Sequence, residues 1–299
     1  MAVVYDIEHT TSYKYKNPVT LAEHRALFLP RVGHGGRVLS YSITTNVPSK
    51  TRWIMDALSN SVALIEFTEP TTELVVTFKF SGEHYGAADI EEFPVDPRGQ
   101  EFPVQHTPDE WTDLASFMRP HAEDMDGSVA AWARGFLTGA ENEPKRVMKQ
   151  MMDAIRDTFK YQAREVEGTQ SPGETLSSKS GTCRDFAWLM IEALRRLGLP
   201  CRYMSGYLYD SALDGGSTAM QGSASTHAWL TAYLPGAGWL HYDPTNRISQ
   251  GFALIPVAVA RHPAQAIPLQ GSWFGSAGDY LGMDVSVSIH KVADFIKAT

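Results

Sequence analysis

The chain has 299 residues, with 34 acidic and 26 basic side chains for a net charge of −8, and 43% of its residues are hydrophobic against 20% charged. That balance excludes membrane, collagen-like and disordered classes and suits one large core or two modest ones. The acidic surplus, without any dense Lys/Arg run, offers no face for a phosphate backbone, so no nucleic-acid partner is expected.

From the start, Met1 to Tyr15 contains neither a basic segment followed by an apolar one nor any run near the ~18 apolar residues of a membrane span. A cytoplasmic protein with no membrane contact is the expectation. Period-two alternation then marks strands around Tyr5 to Thr10, Thr20 to Leu29, Arg37 to Thr44, Ser61 to Phe67 and Leu74 to Phe80. Asn17-Pro18, Gly33 to Gly36, Val47-Pro48 and Glu69-Pro70 punctuate them as turns. Short strands at this spacing predict an antiparallel β-sandwich over residues 1–105. Phe93 to Pro108 carries four prolines and little periodicity, which reads as a linker.

Helical periodicity follows, over Asp109 to Met118, Ser128 to Leu137 and Lys145 to Phe159. A further helix opens at Thr182, where Phe186, Leu189, Met190, Ala193, Leu194 and Leu197 recur at i+3 and i+4 steps before Gly198 and Pro200 end it. Extended segments come next at Cys201 to Tyr209, Thr226 to Leu234, Trp239 to Asp243 and Met283 to Val292, with the Gly/Ser-rich stretch Asp214 to Ser225 expected as a mobile loop. Residues 106–299 thus form a second architecture, and the fold class is α+β.

The only cysteines, Cys183 and Cys201, are too few for a disulfide framework and lack the spacing of a zinc site. Cys183 falls in the first turn of a helix, where unpaired N–H groups and the macrodipole favour thiolate over thiol. A nucleophile there needs an imidazole. His227, on a predicted strand directly after a flexible loop, supplies it, and Asp243, ending another strand, is placed to orient the ring. His241 is the rival imidazole and reads as a strand-surface histidine. Cys201, after Pro200, reads as a core residue, and Trp229, Trp239 and Phe186 read as packing. Asp185 points about 200° around the helix from Cys183, which suits a structural hydrogen bond.

The segments Gly181-Thr182-Cys183-Arg184-Asp185-Phe186-Ala187, His227-Ala228-Trp229 and Asp243-Pro244-Thr245-Asn246, in this order, resemble the transglutaminase-like superfamily of papain-type Cys-His-Asp enzymes. Phe159-Lys160-Tyr161 and the run Leu197 to Tyr207 resemble its flanking segments, and the strand-rich N-terminal region resembles the β domain of bacterial members. The resemblance implies a papain-like core, a catalytic set of Cys183, His227 and Asp243, and a thioester acyl-enzyme formed on peptide or isopeptide amides. Hydrolysis is expected slightly ahead of transglutamination. It also implies an oxyanion site at the Cys183 N–H with Tyr161 or Gln162 as second donor. Arg184, where many bacterial relatives carry Gln, and Ala260-Arg261-His262-Pro263, where they carry Gly-Arg-Asp-Tyr, bear on the shape and charge of the cleft.

Other motifs give nothing catalytic. Gly33-His34-Gly35-Gly36 makes a turn, Asp124-Met125-Asp126-Gly127 lacks the register of a calcium loop and reads as a solvated loop, and no HExxH occurs. No metal or organic cofactor is expected, and the expected partner is a protein or peptide substrate. Two other readings fit the residues: a catalytically silent binding or scaffold module, and an acyltransferase using the same three residues on an acyl thioester such as acyl-CoA.

Overall fold

The structure, a computed structural model, describes residues 2–86, 88–137, 142–162, 168–214, 220–221 and 225–295. The N-terminal half is built from β1 (Ala2–Leu21), β2 (His24–Ala26), β3 (Gly36–Thr45), β4 (Ser49–Met55), β5 (Ser61–Phe67) and β6 (Thr71–His84). After a strap come α1 (Pro108–Met118), α2 (Ser128–Arg134), α3 (Pro144–Thr158), β7 (Lys160–Tyr161), α4 (Pro172–Ser178), β8 (Ser180–Gly181) and α5 (Cys183–Arg196). The remainder is β9 (Cys201–Leu208), β10 (Thr226–Leu234), β11 (Gly238–Tyr242), β12 (Leu254–Ala260), β13 (Leu269–Gln270), β14 (Trp273–Phe274) and β15 (Tyr280–Phe295).

The N-terminal strands form two antiparallel sheets, one ordered β14-β1-β6-β3 with β15 also on β1, the other β13-β2-β5-β4. Asn17-Pro18 is no turn: β1 runs through it, and the pairing with β6 skips from Lys14 to Val19. A proline, having no N–H to donate, is tolerated where the ladder is interrupted. β4 lies outside the strands expected from periodicity, because its seven residues are almost all exposed and leave no two-faced pattern. The chain returns at its end, so that residues from Leu269 onward, grouped above with 106–299, complete both N-terminal sheets through β13, β14 and β15.

In the second half a four-stranded antiparallel sheet, β11-β10-β9-β12, receives α5 against β10 and β9, with α2 and α4 packed on α5. One hydrophobic cluster runs through both halves, from Tyr5, Phe28 and Phe78 to Met151, Leu189 and Leu230. Buried polar clamps cross between them. Asn60 donates to the Val259 carbonyl and accepts its N–H, both at 2.8 Å. His9 pairs through Nδ1 with the Tyr207 hydroxyl at 3.2 Å, and that hydroxyl donates to the Phe28 carbonyl at 3.1 Å. Burial pushes the His9 pKa down to about 4, so the ring is neutral in this clamp.

The proline-rich segment 93–108 is a packed strap and no loose tether. Phe93, Val95, Phe102 and Val104 lie against the core, and the Lys145 ammonium donates to the Ile90 and Phe93 carbonyls at 2.8 Å each. Prolines erase periodicity without preventing burial, which is why the sequence pattern resembled a linker. Asp124 likewise departs from the expected solvated loop: its carboxylate accepts the Val129 and Ala130 N–H groups at the head of α2 and pairs with Arg196.

Candidate active site

The head of α5 is prepared by the residues just ahead of it. β8 pairs in parallel with β7, setting Tyr161 opposite Gly181, two residues before Cys183. A side chain at Gly181 would stand 2.8 Å from the Asp185 Cβ, so only glycine lets the strand pass this close. Thr182, extended at φ −98° and ψ 177°, caps the helix, and Cys183 is its first residue. Asp185 is fully buried, and its carboxylate accepts from the Thr182 N–H at 2.8 Å, the Thr182 hydroxyl at 2.9 Å and the Gln170 N–H at 2.7 Å. It therefore ties the turn before α4 to the start of α5, the structural role its helical position suggested. Among the described residues the N–H groups of Cys183 and Arg184 make no hydrogen bond, as expected of a first helical turn.

His227 comes to this helix head from β10, where it pairs with Gly206 of β9. A side chain at Gly206 would run into the Trp229 ring and the Ile255 carbonyl, so glycine is required opposite the imidazole. Asp243 follows β11 and closes a turn with its N–H donating to the Ile248 carbonyl at 2.7 Å. Its carboxylate receives His227 Nε2 at 2.9 Å, the Asn246 amide at 3.1 Å and the Thr245 N–H at 2.9 Å. The His227 and Asp243 side chains are both wholly buried. With Nε2 engaged, Nδ1 is the ring atom left to serve Cys183; it makes no hydrogen bond, to the sulfur or to any other group, among the described residues. Burial alone would lower the His227 pKa, but the nearby charges of Asp243 and Cys183 and the hydrogen bond to Asp243 outweigh it and raise it to about 10.

The other titrating groups separate cleanly from this trio. His241 accepts the Trp229 indole N–H at 2.8 Å, and burial pushes its pKa down to about 4, so it is a neutral acceptor inside the sheet. Trp229 in turn stacks on His227 at 6.2 Å between centroids, holding the ring plane. Burial pushes the Cys201 thiol up to about 12, in keeping with a core residue. The Tyr161 hydroxyl is pushed up to about 12 by burial and by the nearby Cys183 charge, so it keeps its proton. Among the described residues no group of three or more His, Cys, Asp or Glu side chains could hold a metal ion.

Asn246 has a role that sequence reasoning did not assign. Besides bonding Asp243, it accepts the Gln221 N–H at 2.9 Å and donates to the Gln221 carbonyl at 3.1 Å. Asp210, on the other side of the same loop, accepts the Ala212 N–H at 2.9 Å and the Met220 N–H at 2.7 Å. An Asp-Pro-Thr-Asn turn announces such side-chain-to-backbone bonding in general, but not its loop partner. Of the expected mobile loop Asp214 to Ser225, residues 215–219 and 222–224 lie outside the described residues.

A helix-borne cysteine, a strand-borne histidine and a buried aspartate on an antiparallel sheet define a transglutaminase-like core. Residues 130–244 match the family model of the transglutaminase-like superfamily, and residues 5–83 match that of the bacterial transglutaminase-like N-terminal region. The chain belongs to this superfamily, in the bacterial form with a β region before the core. A solved structure of a candidate cysteine protease from Cytophaga hutchinsonii has the same fold, with a TM-score of 0.70 and 20% identity over 99% of this chain and 93% of that one. An uncharacterized protein of Mycobacterium leprae is 27% identical over 96% of this chain and 98% of its own length. A protein-glutamine gamma-glutamyltransferase of Pseudomonas aeruginosa is 34% identical over 25% of this chain and 12% of its own. Family and fold support thiol-dependent acyl transfer or hydrolysis.

Proposed function

We propose that the protein is a cysteine hydrolase of peptide or isopeptide amides in which Cys183 is the nucleophile, His227 the proton carrier and Asp243 the group that orients it. The observation that carries this reading is the buried His227–Asp243 bond at 2.9 Å, which leaves Nδ1 for the thiol at the head of α5. In the first step the thiol proton passes to Nδ1. The sulfur attacks the amide carbonyl carbon, and the oxyanion is met by the Cys183 N–H and the Tyr161 hydroxyl. Gln162, the other upstream candidate, has its N–H engaged by the Gly181 carbonyl at 2.9 Å.

The C–N bond then breaks, the leaving nitrogen takes the proton from Nδ1, and a thioester remains on Cys183. Water attacks the thioester, Nδ1 takes one water proton, the acid leaves, and the thiolate–imidazolium pair is restored. An amine in place of water gives transamidation by the same steps. Hydrolysis is placed first because the structural relative spanning the whole chain is a candidate cysteine protease, while the glutamyltransferase resemblance spans a quarter of it.

Alkylation tests the nucleophile. At pH 6 iodoacetamide is expected to modify Cys183 at least tenfold faster than a free thiol of ordinary pKa about 8.5, and His227→Ala is expected to remove that advantage. Equal rates in all three would sink the proposal. Mass analysis of peptide amides incubated with wild type and Cys183→Ala, with and without a primary amine, then gives the partition between acid and amide products.

A further inference from the structure

The scheme above leaves one charge at the helix head unused. Arg184 follows the proposed nucleophile, is half-buried, and forms no hydrogen bond or ion pair among the described residues. Four other arginines of this half are occupied. Arg195 holds Glu192 and the Phe117, Cys201 and Arg261 carbonyls, Arg196 holds Glu192 and Asp124, Arg247 holds Asp153 and Asp157, and Arg202 lies 3.6 Å over the Trp239 ring.

The described carboxylates of the site are engaged by other groups. Asp185 is taken by Thr182 and Gln170, and Asp243 by His227, Thr245 and Asn246. Arg184 also shares surroundings with Cys183, since the charges of both act on the Tyr161 and Tyr203 hydroxyls. A half-buried guanidinium without a partner among the described residues, one position along the helix from the proposed nucleophile, is a docking point for a planar anion, which it binds through two parallel N–H donors.

We infer that Arg184 selects acyl donors bearing a carboxylate beside the scissile carbonyl, an inference that rests on Cys183 being the nucleophile. Attraction by one unit charge at roughly 6 Å in an effective dielectric of about 40 favours an anionic over a neutral reactant about tenfold.

The test uses the reduced full chain at low ionic strength and compares iodoacetate with iodoacetamide, reading Cys183 modification by peptide mass. The iodoacetate-to-iodoacetamide rate ratio is expected to fall about five- to tenfold in Arg184→Gln, to stay within twofold of wild type in Arg184→Lys, and to shrink in wild type at high salt. An unchanged ratio in Arg184→Gln overturns the inference. So does an equal fall with both reagents, which would mean that Arg184 acts on the thiol itself.

Protection of Cys183 from iodoacetamide separates two sources of the carboxylate. A peptide amide following a glutamate side chain and a γ-glutamyl amide with a free α-carboxylate are each compared with the neutral glutamine counterpart. Stronger protection by either acid identifies the source, and no advantage for either overturns the inference. Failure of the nucleophile assignment shows separately, in the same assay, as iodoacetamide reactivity that ignores His227→Ala.

Discussion

Replacing Asp185 by alanine removes the one acceptor shared by three donors at the helix head, at 2.7, 2.8 and 2.9 Å. Two of those donors are backbone N–H groups, and the carboxylate is fully buried, so water does not take its place without opening the turn. A hydrogen bond to a charged acceptor contributes about 1.5 kcal/mol at the low end, which places the total loss for the three at about 4.5 kcal/mol. For a chain of this size that is a fall in melting temperature of roughly 7 °C. Urea denaturation followed by far-UV circular dichroism measures the stability, and iodoacetamide modification of Cys183 in the still-folded variant reads the helix head. Both are expected to drop, the second because a frayed first turn no longer presents the sulfur to His227. Asp185→Asn, which keeps one carbonyl acceptor and sets an NH2 group against a donor, is expected to fall between. A loss below about 1 kcal/mol for the alanine variant would show that the turn and helix head are held by something else, and the reasoning would fail.

The raised pKa of His227 gives a second expectation. Its folded value of about 10 lies above the unfolded 6.5, so the stability gained from the imidazolium is fully present below pH 6.5 and is lost as pH rises toward 10. Denaturation midpoints measured from pH 6 to 10 should fall in wild type and run nearly flat in His227→Asn; parallel curves would exclude the coupling. Gly206→Ala should destabilise the protein by about 3 kcal/mol in the same experiment, because its methyl meets a backbone carbonyl and the Trp229 ring. A cost near zero would mean that β12 has room to shift.

Residues whose roles depend on near neighbours were readable in the sequence. Thr182 to Asp185 announced a capped helix with a cysteine in its first turn, and the structure has that helix from Cys183. His227 and Asp243 were legible from the extended segments that carry or end at them together with the family resemblance, and their 2.9 Å contact follows from β10 and β11 being neighbours in one sheet. What escaped was long-range or masked by composition. Nothing local tells Asn246 that its partner is Gln221, or Asp124 that it caps α2 and meets Arg196. β4 has no buried face to produce a pattern, and the prolines of 93–108 hid a segment that is nonetheless packed. The second partner of β1, β15, was invisible for a simpler reason: Ala2 meets Phe295 and Tyr15 meets Tyr280, far along the chain.

That partnership, Ala2 against Phe295 and onward to Tyr15 against Tyr280, orders events at the ribosome. β1 emerges well before β15 and cannot fill one of its two hydrogen-bonding edges until β15 has been translated. The helical half, whose contacts lie closer in sequence, is free to form meanwhile. For that interval a twenty-residue strand carries a row of unsatisfied amides, the kind of edge that recruits neighbouring chains. Truncation before Tyr280 would make that interval permanent.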